Sequence, residues 1–378
     1  MKQILHIVTD EKFTDYAIAQ FSAPEMMSEF VLVPSNNNLM NQVKLRDKCT
    51  IIRQGSSEFK ELLNHFGDYT GIILHGMHWG GWQRYILQSV PKHVKIAWVF
   101  WGGEIYGRSD CTLSRYAPIT NFVVRIREIV NGKKKCANTS WELPLELYQR
   151  IDYCLTDELE ECEYVREFLK NNHMQYLWYN YYDLDSILES MKNDASTGNN
   201  VIVGNSATDT SNYFDVIPFL FKHLQKDQKV ILPLSYGAPW IMRLVPKYAK
   251  LFLGKAVMPL LEFMPRDEYN KVLQSCSVMI MNHYIPQAQG NILVGLWLGM
   301  RVYMSEKSLS YKFFKRLGCI VYSFESEFKI FGLSKLSEDQ KNTNREILSQ
   351  WYNNEHTMSG VKNIVVTLLK NDTYDPNK

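Results

Sequence analysis

Ten consecutive residues in the second half of the chain combine small side chains with hydroxyls and amides: Val203-Gly204-Asn205-Ser206-Ala207-Thr208-Asp209-Thr210-Ser211-Asn212. An apolar run precedes them and a helix-like segment follows. Small residues let backbone N–H groups close on an anion, and a helix start adds partial positive charge. This pattern suits a diphosphate, with Gly204, Asn205, Ser206, Asp209 and Ser211 as the contacts. It equally suits a plain β-α turn whose Ser211 or Asn212 caps the helix, and both readings hold together. A second grouping runs from Asn282-His283-Tyr284 to Gln287-Ala288-Gln289-Gly290-Asn291 and again lies between an apolar run and a helix start. Its amides would address the ribose and phosphates of a nucleotide. Asn282, His283, Gln287, Gln289, Gly290 and Asn291 are the expected contacts, joined by Tyr236 and Gly237 after another apolar run.

The first half holds two glycine-flanked loops, His75-Gly76-Met77-His78-Trp79-Gly80-Gly81 and Trp101-Gly102-Gly103-Glu104-Ile105-Tyr106-Gly107. A carboxylate or imidazole at a strand end takes a proton from an attacking hydroxyl when geometry and pKa suit. Glu104 and His75 are the residues expected to do so. The alternatives are a helix-capping role for Glu104 and a satisfied core-edge histidine at His75. His75-x-x-His78 has no third ligand at metal-site spacing. Asp183-Leu184-Asp185 matches a carboxylate pair that could hold a divalent ion, but it precedes a helical stretch, where capping is the better use. No metal is expected. Arg125, Arg127 and Lys133-Lys134-Lys135, interleaved with Phe122, Val123, Val124 and Ile126, either touch anionic headgroups or form a solvated loop.

These groups need elements to hold them. Apolar runs at Gln3 to Val8, Phe30 to Val33, Gly71 to His75 and Lys95 to Trp101 alternate with helix-like stretches at Ser57 to Phe66 and Trp82 to Ser89. Ile151 to Leu155 and Gln175 to Trp178 continue the series. The polar Lys192 to Asn200 segment reads as a boundary. The alternation then restarts with strands expected at Val201 to Val203, Lys229 to Leu234, Leu251 to Val257, Ser277 to Asn282 and Met300 to Ser305, and a helix from Tyr213 to Leu224. Two successive βα arrays imply an α/β protein of two Rossmann-like domains with parallel sheets facing a central cleft. The expected extents are 1–195, 196–345 and a helical tail, 346–378, that crosses back to the first domain. Ligands in such sheets bind outside the carboxyl ends of the strands, where both polar groupings lie.

Composition narrows the classes. The chain has 378 residues, 46% hydrophobic and 22% charged, with a net charge of +2. It packs real cores and has no broad electrostatic footprint for nucleic acid. Its seven cysteines form no CxxC pair, which fits free thiols in a reducing compartment. The first residues, Met-Lys-Gln-Ile-Leu-His-Ile-Val, do not follow a secretory pattern. No apolar run reaches the roughly 20 residues that span a bilayer. The expectation is a cytoplasmic protein, soluble or peripheral on a membrane. The position after the first strand reads Thr9-Asp10-Glu11-Lys12-Phe13-Thr14, which lacks the Gly-x-Gly-x-x-Gly of dinucleotide enzymes.

His75-Gly76, Trp101-Gly102-Gly103-Glu104-Ile105-Tyr106, Val203-Gly204-Asn205-Ser206 and the run from Asp267-Glu268-Tyr269 through Cys276 to Gln289-Gly290 and Gly299 resemble one known family. It is the TDP-N-acetylfucosamine:lipid II N-acetylfucosaminyltransferases, glycosyltransferase family 56, and the resemblance extends over His6 to Ser323. The family pattern carries Asp-Leu where this chain has Glu104-Ile105. The resemblance implies a GT-B fold and a metal-independent transferase with no cofactor. Its donor would be a dTDP-activated deoxyamino sugar. Its acceptor would be a polyprenyl-diphosphate-linked saccharide of bacterial surface polysaccharide, of the O-antigen or enterobacterial common antigen type, at the inner face of the cytoplasmic membrane. Under it, His78, Trp79, Gly103 and Tyr106 would meet the acceptor. The alternatives are a GT-B transferase using a UDP- or GDP-sugar, or a non-catalytic nucleotide-sugar-binding or assembly protein.

Overall fold

A computed structural model of the chain describes residues 3–34, 42–77, 81–132 and 142–370. Two wholly parallel sheets organise them. The first contains β1 (Ile4–Val8), β2 (Ser28–Leu32), β3 (Thr50–Ile51), β4 (Gly71–His75), β5 (Lys95–Val99), β6 (Tyr153–Thr156) and β7 (Gln175–Trp178), in the order 3-2-1-4-5-6-7. The second contains β8 (Asn200–Val203), β9 (Val230–Pro233), β10 (Val257–Leu260), β11 (Cys276–Met281), β12 (Arg301–Met304) and β13 (Tyr322–Ser323), in the order 10-9-8-11-12-13. Strand order reverses between β1 and β4 in one sheet and between β8 and β11 in the other. Both are Rossmann-like, with the switch point that such sheets use for ligands.

The central strands read as unbroken apolar runs because helices cover both faces. β1, β4, β8 and β11 are buried over all or nearly all of their lengths. One core gathers Ile4, Val8, Phe21, Leu32, Ile73, Val99 and Leu155. The other gathers Val201, Val203, Phe214, Ile217, Leu232, Ile280 and Tyr303.

The chain divides differently from the expected 195/196 and 345/346 boundaries. One compact unit comprises Met1–Cys111, Ala137–Asp183 and Asn354–Lys378, and the other Thr112–Cys136 and Leu184–Asn353. The helix Pro118–Val130 explains the first departure. Its opening amides, Ile119 N and Thr120 N, donate to Asp215 at 2.8 Å, and Ala117 N donates to Asn212 Oδ1 at 2.8 Å. These bonds satisfy helix-start donors that have no intrahelical acceptor, and they fix the helix to the second unit. The polar segment before β8 also belongs there: Ser196 N donates to Leu298 O and Thr197 N to Gln274 O. The last helix, Asn354–Leu369, puts Val361, Ile364, Val365 and Leu368 into the core of the first unit.

One expected strand moves. Leu251 and Phe252 complete the helix Pro239–Leu253, and the strand begins later, at Val257. The expected run Leu251 to Val257 merged the exposed end of a helix with the start of β10, because both are apolar in sequence. Among the described residues no helix is long and apolar enough to cross a membrane.

Candidate functional site

At the switch point of the second sheet, two loops leave adjacent strands. One follows β8 and the other follows β11. Gly204 turns the first with φ +65°, and a Cβ there would stand 2.5 Å from the Tyr213 hydroxyl. Only glycine fits so close an approach. The Tyr213 hydroxyl then donates to Ser206 O at 2.9 Å, which holds the loop over the strand end. Gly237, at φ +122°, plays the matching part after β9: a Cβ there would lie 2.5 Å from Ala207 O. The close approach lets Ala207 N donate to Tyr236 O at 2.8 Å and Ala238 N to Ala207 O at 2.7 Å.

Gln287 joins the β8 and β11 loops. Its Oε1 accepts from Thr210 Oγ1 at 2.7 Å, and its Nε2 donates to Asn205 Oδ1 and Thr208 Oγ1, both at 3.2 Å. Thr208 Oγ1 also lies 3.3 Å from Ser206 Oγ and 3.0 Å from Ser211 Oγ. Asn212 is fully buried at φ +52°, and its Nδ2 donates to Asn282 O at 2.8 Å. It starts the helix Tyr213–Leu220 without capping it through its side chain. Its side chain instead bridges Ala117 and Asn282. Asp209 Oδ2 accepts from Tyr116 OH at 3.1 Å.

Beyond β11 the polar accounting does not close. Asn282 and His283 are 3% and 2% exposed. Among the described residues, neither Asn282 Oδ1 nor either ring nitrogen of His283 has a hydrogen-bond partner. Burial lowers the His283 pKa to about 4, so the ring is neutral at physiological pH. An unsatisfied buried polar atom costs about 1–3 kcal/mol, and native structures hold few of them. Three on two consecutive residues at a switch point mark a place where a polar ligand would repay the cost. The helix Gln289–Trp297 begins just beyond, after Ala288 at φ +63°. Its first amides, at Gln289, Gly290 and Asn291, have no intrahelical acceptor, and its dipole favours negative charge. Tyr236, 58% exposed, follows β9 in the same sheet.

The first unit treats its expected residues otherwise. Glu104 is 1% exposed, and its Oε1 accepts from Met77 N at 3.3 Å, Trp98 Nε1 at 3.2 Å and Trp101 N at 3.2 Å. One carboxyl oxygen thus gathers the loops after β4 and β5. His75 is also 1% exposed and lies within a buried relay. His6 Nδ1 is 3.1 Å from His75 Nε2, His75 Nδ1 is 2.9 Å from Tyr181 OH, and Trp101 Nε1 donates to Tyr181 OH at 2.9 Å. Burial lowers the His75 pKa to about 3. Tyr106, 2% exposed, donates to Glu161 Oε1 at 2.8 Å. Gly103 opens the short helix Gly103–Tyr106. Glu104, His75 and Tyr106 therefore sit inside the unit, engaged with its own groups, where an incoming hydroxyl does not reach them without movement of the loops. His78 and Trp79 lie outside the described residues.

Of the carboxylate pair, Asp183 Oδ2 accepts from Asn354 Nδ2 at 3.0 Å, and Asp185 pairs with Lys192 at 2.7 Å. Several residues that matter locally escaped the sequence reading. Thr208 and Thr210 complete the Gln287 hub. Glu161 is buried between Tyr106 OH and Thr156 Oγ1. Burial, with the Asp157 and Glu104 charges nearby, raises its pKa to about 8 against the bonds that lower it. No local signal marks a glutamate within a helix as buried, but the Thr156-x-x-x-x-Glu161 spacing across a strand end and the first turn of the next helix was available.

No protein-family model matches the chain, and no curated protein matches it. Solved structures do share its fold. A glycosyltransferase from Rickettsia africae is similar with a TM-score of 0.61 and 11% identity, over 98% of this chain and 99% of that one. Sucrose-phosphate synthase from Thermosynechococcus elongatus gives a TM-score of 0.61 and 11% identity, over 97% and 99%. Anabaena HepE in complex with UDP-glucose gives 0.61 and 9%, over 97% and 99%. At these identities the likeness is one of fold: two Rossmann-like α/β units, the GT-B architecture.

Proposed function

We propose that this protein is a GT-B glycosyltransferase that takes its donor, a pyrimidine nucleoside diphosphate sugar, at the β8–β11 switch point of the second unit. The observation that carries the reading is the buried trio of Asn282 Oδ1, His283 Nδ1 and His283 Nε2, which has no partner among the described residues. Beside them run the hydroxyl-rich loop after β8 and the amides that open Gln289–Trp297. Backbone amides and a helix dipole suit a diphosphate, and a neutral imidazole with an amide oxygen suits sugar hydroxyls, which both donate and accept. In the reaction an acceptor hydroxyl attacks the anomeric carbon. The bond from that carbon to the diphosphate oxygen breaks, the diphosphate leaves with the electron pair, and the hydroxyl proton passes to a base. The fixed donors of this unit would meet the charge that grows on the leaving group.

The resemblance to glycosyltransferase family 56 supports a dTDP-sugar donor and a polyprenyl-diphosphate-linked acceptor at the inner face of the cytoplasmic membrane. The fold shared with a UDP-glucose complex supports a UDP-sugar equally. Thermal unfolding with a panel of dTDP, UDP and GDP separates them, because a ligand that binds only the native state raises its stability by RT ln(1 + [L]/Kd). Stabilisation by dTDP above UDP and GDP supports the first donor. Stabilisation by none of the three would remove the nucleotide-sugar reading.

A second reading, a nucleotide-sugar-binding protein without turnover, is favoured by the burial of Glu104, His75 and Tyr106. Glu104→Gln decides between them on the acceptor side. The variant keeps an Oε1 that can accept the three N–H groups, so the fold survives. Lost turnover with retained nucleotide binding assigns Glu104 as the base, in line with the hundredfold or greater effect expected of one. Unchanged turnover assigns it the loop-gathering role alone.

A further inference from the structure

The helix Pro118–Val130 faces solvent with its apolar side. Ile119, Phe122, Ile126, Ile129 and Val130 recur at three-, four- and seven-residue spacings and form one stripe. All five are exposed, Phe122 by 64% and Ile129 and Val130 by 78% each. The opposite face buries Thr120 and Val124 and packs toward the helix Tyr213–Leu220 of the same unit, where Thr120 donates to Asp215. This inverts the usual arrangement, in which the apolar stripe of a surface helix faces the core. A contiguous exposed apolar stripe of this kind marks a docking face.

Charge identifies what docks. The helix carries Arg125 and Arg127. The Arg127 guanidinium lies 4.7 Å over the ring of Trp240, on the helix Pro239–Leu253. That second helix exposes Arg243, Leu244, Lys247, Lys250 and Leu251. The two helices hold five basic side chains against one acid, Glu128, in a chain whose net charge is only +2. Apolar side chains on the outward face with basic residues around them suit the boundary between acyl chains and anionic headgroups. A second protein copy would instead bring these like charges together.

We propose that the outward face of the Pro118–Val130 helix seats this protein on an anionic lipid surface, burying Phe122, Ile126, Ile129 and Val130 in the headgroup–acyl boundary. The inference is independent of the nucleotide-sugar site, although it deepens the lipid-linked acceptor part of the proposed function. The test floats the full chain with vesicles of phosphatidylcholine alone or mixed with phosphatidylglycerol. The expected result is binding to the mixed vesicles that weakens as salt screens the headgroups. Phe122→Ser combined with Ile129→Ser lowers the partition coefficient by about tenfold for each side chain removed from the boundary. Arg125→Gln lowers it by about fivefold. Both variants change exposed side chains, and retained nucleotide binding shows that the fold and the other site survive.

Absence of binding to either vesicle overturns the proposal. So does equal binding to both, or binding that the double variant leaves intact. A concentration-dependent dimer in sedimentation that the double variant dissolves also overturns it, since a second copy would then cover the face. Loss of vesicle binding with intact nucleotide binding tests this face alone. Loss of nucleotide binding in the wild-type chain would touch only the transferase reading.

Discussion

His283→Leu should make the unliganded protein more stable while making it a poorer binder. His283 is buried with both ring nitrogens unpartnered among the described residues, and an apolar side chain in that place removes the unmet demand. At pH 8 the variant should match or exceed the wild type by about 1–3 kcal/mol. Acid widens the gap. The folded wild type keeps the ring neutral down to a pKa of about 4, whereas the unfolded chain takes up its proton near the ordinary value of 6.5. The stability tied to this group is whole above pH 6.5, erodes as pH falls from 6.5 to 4, and is constant below. At about 1.36 kcal/mol per pH unit the erosion comes to about 3 kcal/mol. His6 and His75, also held neutral by burial, titrate alike in both proteins and cancel in the difference. Urea unfolding of the two proteins across pH 4.5 to 8 measures that difference directly. Calorimetric titration with the stabilising nucleotide should show weaker binding by the variant, about tenfold for each lost hydrogen bond of about 1.4 kcal/mol. A stability difference that does not change with pH would refute the reasoning. So would a variant destabilised by more than about 2 kcal/mol at pH 8, since the imidazole would then be satisfied in the native state.

Glu161→Gln probes the opposite sign. The wild-type carboxyl, held at about 8, keeps its proton where the unfolded chain has lost it near 4.5. Wild-type stability should therefore fall relative to the variant as pH rises from 4.5 to 8, by up to about 5 kcal/mol, and level off above. Unfolding curves that run parallel in urea at pH 5 and pH 8.5 would show that Glu161 is ionised in the fold. Gly204→Ala forces a Cβ into the space of the Tyr213 hydroxyl and a left-handed backbone on alanine. The expected loss is about 2–4 kcal/mol, from backbone strain plus the disturbed Tyr213 bond to Ser206, read as a lower urea midpoint with an unchanged m-value.

The architecture was legible because parallel strands buried on both faces are near-continuous apolar runs. β1, β4, β5, β8, β11 and β12 were readable within a residue or two at each end. The misplacement of β10 shows the limit of that signal. Leu251 and Phe252 are as apolar as a strand, but Pro239–Leu253 is a helix, and a short apolar run carries no periodicity to tell the two apart. The unit boundaries were hidden for another reason. Asp215 caps a helix almost a hundred positions earlier in the chain, and nothing local to either residue announces the pairing. The loop after β8 was found from its glycine and hydroxyls. The hub that ties it to the β11 loop depends on where Gln287 points, which only the fold decides. Burial was illegible in the same way: Glu104 reads in sequence as a loop carboxylate, whereas in the fold it is buried and its Oε1 accepts from Met77 N, Trp98 Nε1 and Trp101 N.

The donor assignment rests on where buried polar atoms go unmet: three of them lie on two consecutive residues at the switch point of the second sheet. In the first unit, Glu104 Oε1, both ring nitrogens of His75 and the Tyr106 hydroxyl are engaged by the unit's own groups, and the buried atoms left without a partner among the described residues, such as Trp82 Nε1 and Thr357 Oγ1, are scattered along the chain. In the second, Gln287, Asn212 and Tyr213 use hydrogen bonds to fix two loops at the sheet's switch point, while Asn282 Oδ1 and both ring nitrogens of His283 have no partner among the described residues. A fold gains nothing by burying polar atoms unpaired and loses about 1–3 kcal/mol for each. The backbone beside them is held, because Asn212 Nδ2 donates to Asn282 O and Tyr213 OH donates to Ser206 O. That combination is what a preorganised binding site requires, because the cost is borne before the ligand arrives and is recovered when it binds.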